Sequence, residues 1–366
     1  MAKRPRPNQS DLSRAMDVDL DAESDDAGAD HAALDGRQQF NKRSKFNQQM
    51  KTARTAAMRL ADADVSGDID ALPVGQVVQV HSLFCDVEMP GEAGPLAGRL
   101  KQCVIRKTLQ KVSDTRVVVG DRVRVRLVET AEPGAPEGVV EQVLPRDTLL
   151  TRADSFKALE SAPVVANAGQ MLIVASLWAP FARWGLIDRM LIAAEAGRLR
   201  PVVCLNKWDF ADDPEDEIRA QREQADAAIA HYESLGVRCL RTSVTRSLGL
   251  DDVRALLRDQ VTVLAGHSGV GKSSLITAVQ PDLDLRVGEV SAVHLKGKHT
   301  TTSARRYDLA GGGSVIDTPG VKLFGLWGVT RDNLDDFFPD VTSDTAPPWR
   351  VESYQRIKKS IGQARQ

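Results

Sequence analysis

A small β-barrel followed by a mostly parallel α/β sheet, behind a disordered charged tail, is the architecture the sequence predicts. Three observations carry it. Between residues 71 and 150 the chain alternates apolar and polar residues, as in Gly75-Gln-Val-Val-Gln-Val80 and in residues 117–126. Turn clusters (Gly91, Gly94, Pro95, Gly98; Pro133, Gly134, Pro136, Gly138) punctuate these runs, the pattern of short strands in a barrel or sandwich. From 171 to 265, short apolar runs alternate with helical periodicity, which implies a parallel sheet covered on both faces. Finally, Gly266-His-Ser-Gly-Val-Gly-Lys-Ser273 matches G-x-x-x-x-G-K-[ST] between a strand-like and a helix-like run.

In chain order, residues 1–70 open with Lys3, Arg4 and Arg6 among prolines. They continue with an acidic block from Asp17 to Asp30, then turn basic from Arg37 to Arg59. So little apolar content cannot offset the entropy of ordering, so a disordered tail is expected. Its basic part, with Phe40 and Phe46, suits RNA. In the barrel, Arg99, Lys101, Arg106, Lys107 and Lys111 would give a basic face, and an OB-fold is the barrel type expected. In the second half, strands are predicted at 171–177, 201–205, 237–240, 261–265 and 314–316. Helices are predicted at 186–196, 215–235, 251–259 and 274–279.

Composition narrows the function classes. The 366 residues are enough for two or three domains, and a net charge of -2 gives no whole-chain attraction for nucleic acid. Cys85, Cys103, Cys204 and Cys239 are scattered without a C-x-x-C pair, which suits a reducing cytoplasm and no cysteine metal site. The N-terminus is polar, so no signal peptide is expected. The longest apolar region, 171–186, is broken by Pro180 and Arg183, so no membrane span is expected.

The motifs carry the chemistry. Glycines 266, 269 and 271 let backbone N–H groups turn toward an anion, and the following helix start adds its dipole. His267, Ser268, Val270 and Ser274 complete this cradle. Lys272 would reach the β- and γ-phosphates, and the Ser273 hydroxyl would hold Mg²⁺. Asn206-Lys207-Trp208-Asp209, after a predicted strand, fits N-K-x-D. The Asp209 carboxylate can accept from guanine N1–H and the N2 amine, a donor pair that adenine lacks. Thr242 and Ser243 end the next strand and are placed in the same site. Asp317-Thr-Pro-Gly320 fits D-x-x-G, with Asp317 on Mg²⁺ through water and the Gly320 N–H sensing the γ-phosphate. The cationic stretch 296–302, with Thr301 as a further Mg²⁺ ligand, would be ordered by triphosphate and released after hydrolysis. Rival readings are a phosphate-loop ATPase or small-molecule kinase, disfavoured by N-K-x-D, and an RNA-binding scaffold with very slow turnover or a different RNA partner.

N-K-x-D precedes the phosphate loop here, whereas in ordinary small GTPases it follows. With this order, the chain resembles the circularly permuted, small-ribosomal-subunit-dependent GTPases, the RsgA or YjeQ family. The resemblance covers about residues 72–330. It rests on Leu144-Pro-Arg146, Thr151-Arg152, Leu205-Asn-Lys-Trp-Asp209, Gly266–Leu275, Lys298-His-Thr-Thr-Thr302 and Ile316-Asp-Thr-Pro-Gly320. It implies an OB domain at 71–150, a permuted GTPase domain at 151–330, and GTP hydrolysis stimulated by the small ribosomal subunit and its rRNA, in late maturation of that subunit. A cytoplasmic monomer is expected. Position 321 is Val where many GTPases carry a water-orienting Gln, and the resemblance favours His299 for that role. The family also carries a C-terminal zinc domain with three cysteines and a histidine. No Cys or His follows His299 here, so residues 331–366 are expected to form a short helical segment without zinc.

Overall fold

The computed structural model describes residues 68–81, 84–90, 100–106, 109, 116–128, 135–153, 161–283, 304–318, 326 and 328–363. The charged N-terminal segment, the stretch 296–302 with His299 and Thr301, Gly320 and Val321 lie outside the described residues.

After a single 3-10 turn at Ile69–Ala71, five strands build the barrel: β1 (Val74–Val80), β2 (Phe84–Glu88), β3 (Leu100–Ile105), β4 (Arg122–Leu127) and β5 (Gly138–Val143). Their neighbours run β1-β2-β3-β5-β4, and β4 returns to β1 to close the ring, with β3 and β5 parallel. This closed five-stranded, OB-like barrel has one face of each strand inside. Val77, Cys85, Val87, Cys103, Val123, Val125 and Val140 form its core, following the period-two alternation of the sequence. Two of the cations read as a basic face are neutralised within the barrel. Lys101 pairs with Glu137 at 2.7 Å, and Arg106 shares the buried Glu141 with Arg126. Arg99, Lys107 and Lys111 lie outside the described residues.

The Leu144-Pro-Arg146 motif follows β5 and ties back to the barrel segment before β4. Arg146 donates through Nε and Nη2 to both oxygens of the fully buried Asp121, at 2.7 and 2.8 Å, and to the Arg116 carbonyl. A hairpin unread in the sequence follows, β6 (Leu149–Ala153) with β7 (Ser161–Ala166). Its strands are short, five and six residues, and β7 adds an isolated bridge from Val165 to Val119, so no periodicity long enough to read develops.

The second unit of structure comprises β8 (Gln170–Ser176), α1 (Trp184–Ala196), β9 (Arg200–Asn206), α2 (Asp216–Ser234), β10 (Arg238–Arg241), α3 (Leu250–Leu257), β11 (Val261–Ala265), α4 (Lys272–Val279), β12 (Arg305–Asp308) and β13 (Ser314–Asp317). Strand order is β10-β9-β8-β11-β13-β12. All neighbours are parallel except β12, which is antiparallel to β13. Each buried strand sends alternate residues to opposite faces. Met171, Ile173, Val203 and Val263 meet α1 and α2, while Leu172, Val174, Val202 and Leu264 meet α3 and α4. The sequence-derived strands and helices agree with these within two residues. β12, for which no strand is predicted, is the exception: its four residues, Arg-Arg-Tyr-Asp, carry no apolar run, and pairing on both edges makes it a strand.

After β13, α5 (Pro339–Thr342) and α6 (Pro348–Gln363) pack on α1 through Ile192, Leu334, Phe338 and Ile357. Arg350 of α6 pins this segment. It donates to Asp188 on α1 at 2.5 Å and to Asp340 on α5 at 3.0 Å, and its guanidinium lies 4.1 Å from the centre of the Phe338 ring. His231 of α2 meets the same Asp340 oxygen at 2.8 Å, and Tyr232 donates to Asp188. Burial pushes the Asp188 carboxyl up, and the neighbouring Arg350 opposes it. Among the described residues no group of three or more His, Cys, Asp or Glu side chains is placed to hold a metal. Removing one partner of a buried pair leaves an uncompensated charge, which costs about 3–5 kcal/mol. Arg350→Ala is therefore expected to lower unfolding stability by about that amount and to open residues 331–363 to limited protease. Urea denaturation and proteolysis check both.

Candidate phosphate and base site

The carboxyl ends of the parallel strands share one edge. Register sets Ser176 against Asn206, Leu205 against Arg241, Ala265 against Ile173 and Leu264 against Asp317. The chain runs from β8 out to β10 and then returns to β11 on the other side of β8. The crevice at such a reversal is where open α/β sheets bind ligands.

Gly266, Gly269 and Gly271 all have positive φ (136°, 85° and 92°), so the loop takes the conformation in which N–H groups converge. At two of these glycines, close approach excludes a side chain as well. A Cβ on Gly266 would lie 2.1 Å from the Val174 carbonyl oxygen, and one on Gly271 2.5 Å from Asn206 Nδ2. Lys272 opens α4, and its Nζ donates to the carbonyls of Gly266 and His267 at 2.9 and 3.0 Å. Burial lowers its pKa, and the charge of Asp317 opposes that shift. Val270 is buried in the core under the loop, and His267 Nδ1 lies 2.8 Å from the Ser268 carbonyl. Ser273 and Ser274 follow in the first turn of α4.

The base motif sits against this loop. Asn206 Nδ2 donates to the Val270 carbonyl at 3.0 Å, and its Oδ1 accepts from Thr242 Oγ1 at 3.1 Å. Thr242 is itself tied to β9, its N–H donating to the Leu205 carbonyl. Lys207 is left-handed (φ 59°) and its Nζ donates to the Ala179 carbonyl at 2.5 Å. Ser243 Oγ donates to Asp209 Oδ1 at 2.7 Å and accepts from the Arg246 N–H. Asn206, Lys207, Asp209, Thr242, Ser243, residues 266–274 and Asp317 thus occupy one edge of the sheet. His299, Thr301 and Gly320 lie outside the described residues.

Sequence reading missed one component. The loop after β8 carries Trp178 and Phe181, whose rings meet edge to face at 5.0 Å, with Phe210 at 6.1 Å from Trp178. It also supplies the Ala179 carbonyl to Lys207. The signal was present, since Trp178-Ala-Pro-Phe181 follows a buried strand directly, but the four residues match no phosphate or base motif.

Comparison with known proteins agrees with this geometry. Residues 143–327 match the family described as RsgA GTPase. A protein of Marinobacter nauticus named small ribosomal subunit biogenesis GTPase RsgA is 35% identical over 314 residues, covering 83% of each chain. The chain belongs to the RsgA GTPase family. It is accordingly a GTP hydrolase with its sequence motifs in permuted order. The crystal structure of YjeQ from Thermotoga maritima is 27% identical, with a TM-score of 0.56, and the match covers 79% of this chain and 98% of that one. YloQ, described as a circularly permuted GTPase, shares the fold at a TM-score of 0.55 and 22% identity over 82% of this chain and 98% of that one.

The Gly271–Asn206 approach makes a specific expectation. In Gly271→Ala the positive φ and the clash with Asn206 Nδ2 would together cost about 1–3 kcal/mol. GDP affinity should fall about tenfold or more, while far-ultraviolet circular dichroism stays unchanged. Titration with a fluorescent GDP derivative measures it.

Proposed function

We infer that this GTPase acts in biogenesis of the small ribosomal subunit, hydrolysing GTP to GDP and phosphate under stimulation by that subunit and its rRNA. The observation that carries the reading is the hydrogen bond from Asn206 to the Val270 carbonyl, which joins the base-reading motif to the phosphate loop across the permuted chain order. The relative from Marinobacter nauticus is named for the same subunit, and the motifs it would share with this chain are intact here.

In this reading Asp209 accepts from guanine N1–H and N2, held at the right angle by the Ser243 hydroxyl on Oδ1. Asn206, Lys207, Thr242 and Ser243 frame the base. The N–H groups of Gly266, His267, Ser268, Gly269, Val270, Gly271 and Ser274 cradle the phosphates. Lys272 moves from the Gly266 and His267 carbonyls to the β- and γ-oxygens, adding positive charge where the transition state gathers negative charge. Hydroxyl and carboxylate oxygens are the ligands a hard cation takes, so Ser273 and Thr301 fit Mg²⁺ directly and Asp317 fits it through water. When bound, Mg²⁺ would neutralise charge on the β- and γ-phosphates. Gly320 senses the γ-phosphate, and His299 orients the attacking water, since the Val321 side chain has no group to do so. No zinc is part of this reading, since residues 300–366 carry no Cys or His. The domain division at 70, 150 and 330, a monomeric state and a cytoplasmic location complete it. No helix among the described residues is long and apolar enough to cross a membrane.

GTP turnover, measured alone and with purified small or large subunits, tests the partner. The small subunit should raise the rate, with about 10³- to 10⁵-fold the range seen for partner-stimulated GTPases, and the large subunit should not. Equal rates in all three conditions would overturn it. For the chemistry, His299→Ala should lose about 10²- to 10⁴-fold of the stimulated rate and keep its GDP affinity. Unchanged turnover would remove His299 from the mechanism.

A further inference from the structure

The barrel and the nucleotide sheet form one continuous hydrogen-bonded sheet. Barrel strand β1 pairs with β12, setting Gln79 opposite Arg305, and β12 pairs with β13, setting Arg305 opposite Asp317. A single row of residues therefore runs from the barrel to the carboxylate assigned to Mg²⁺. The next residue, Arg306, reinforces the junction from both sides. On the nucleotide side its Nε donates to Ser314 Oγ of β13 at 3.0 Å, and its Nη2 pairs with Asp308 at 2.8 Å. On the barrel side its Nη1 donates to Gln76 Oε1 at 2.5 Å and pairs with Glu88 at 3.5 Å. Gln76 and Glu88 face each other across the β1–β2 pair. The Arg306 side chain is only 14% exposed, so these contacts are little screened by water.

The position in the chain gives this cluster its meaning. β12 begins three residues after Thr302, the end of the stretch whose sequence marks it as the nucleotide-ordered switch. β13 ends on Asp317, the first residue of D-x-x-G. A four-residue strand so placed shifts with whatever its two neighbours do, and it is tied to the barrel by a strand pairing and by the Arg306 side chain.

We propose that Arg306 is a positioning residue that couples nucleotide state to the barrel. Its bridge to Gln76 and Glu88 carries displacement of β12 and β13 into β1. By thermodynamic reciprocity, a partner that binds the barrel acts back on nucleotide binding at Asp317 by the same factor. The identity of that partner rests on the function proposed above; the coupling itself does not. A purely stabilising role would instead weaken the fold in every nucleotide state alike.

Amide hydrogen exchange of the full chain, with GDP and with a non-hydrolysable GTP analogue, tests the coupling without any ribosome. In the wild type, the amides of residues 76–80 should exchange at different rates in the two states. In Arg306→Ala that difference should vanish, with GDP affinity retained. The double variant Gln76→Ala, Glu88→Ala removes both barrel contacts and leaves Ser314 and Asp308 on Arg306, so it should give the same loss if Arg306→Ala fails to fold. With small subunits added, both variants should keep the unstimulated rate and lose about tenfold of the stimulated one, within the usual span of coupling factors. Identical exchange of β1 in both nucleotide states of the wild type, or a full difference preserved in the variants, overturns the proposal. A nucleotide-dependent β1 in a protein that the small subunit does not stimulate sustains the coupling and removes the small subunit as its partner.

Discussion

The hydrogen bond from Asn206 to the Val270 carbonyl is the contact on which the nucleotide site depends. It joins the end of β9 to the glycine loop after β11, two segments that lie on either side of β8 in the sheet. Both ends of the bond are constrained. Asn206 is buried and fixed by Thr242, while Val270 is held by the core beneath it. The loop must pass so close to Asn206 that only glycine fits at 271. A permuted chain keeps the site because this contact is spatial. It requires neighbouring strand ends and is indifferent to which segment comes first.

The same economy governs the rest of the molecule. A parallel sheet buried on both faces needs apolar residues on alternate sides, and β8, β9 and β11 provide them. Helices α1 and α2 cover one face, and α1 then offers its outer side to the C-terminal helices. There the clamp is electrostatic. Arg350 lies between two buried carboxylates, and its planar guanidinium can also lie against Phe338. The barrel uses a similar device, with Arg146 gripping both oxygens of Asp121 where the chain leaves β5. In each place a buried arginine fixes the geometry of a chain connection, and in the C-terminal segment it does so beside an apolar cluster of Ile192, Leu334, Phe338 and Ile357.

Much of this was legible residue by residue. The phosphate loop, N-K-x-D and D-x-x-G are short because the chemistry needs particular atoms at particular spacings, so they survive as local text. The strands of the parallel sheet were legible because burial on both faces forces an apolar run. β12 and the β6–β7 hairpin were not. Arg305 to Asp308 become a strand because β1 and β13 supply partners on both edges, and a propensity argument sees three charged residues and a single tyrosine. The barrel cations show the same limit from the other side. Arg106 reads as surface charge until Glu141 is found buried beside it, 35 residues away.

The sequence by itself determined the two kinds of sheet, the phosphate loop with its neighbouring base motif, and the permuted order, since each depends on periodicity or on local spacing. Tertiary structure alone decided which side chains meet: Asn206 with the loop carbonyl, Arg350 with Asp188 and Asp340, Arg306 with the barrel. Apart from Arg350 with Asp340, 10 positions away, those pairings join residues 64, 162 and 230 positions apart, the last being Arg306 with Gln76. Such contacts arise from the register and order of strands, which no local pattern encodes. They also set whether a given arginine faces water, a carboxylate or another domain.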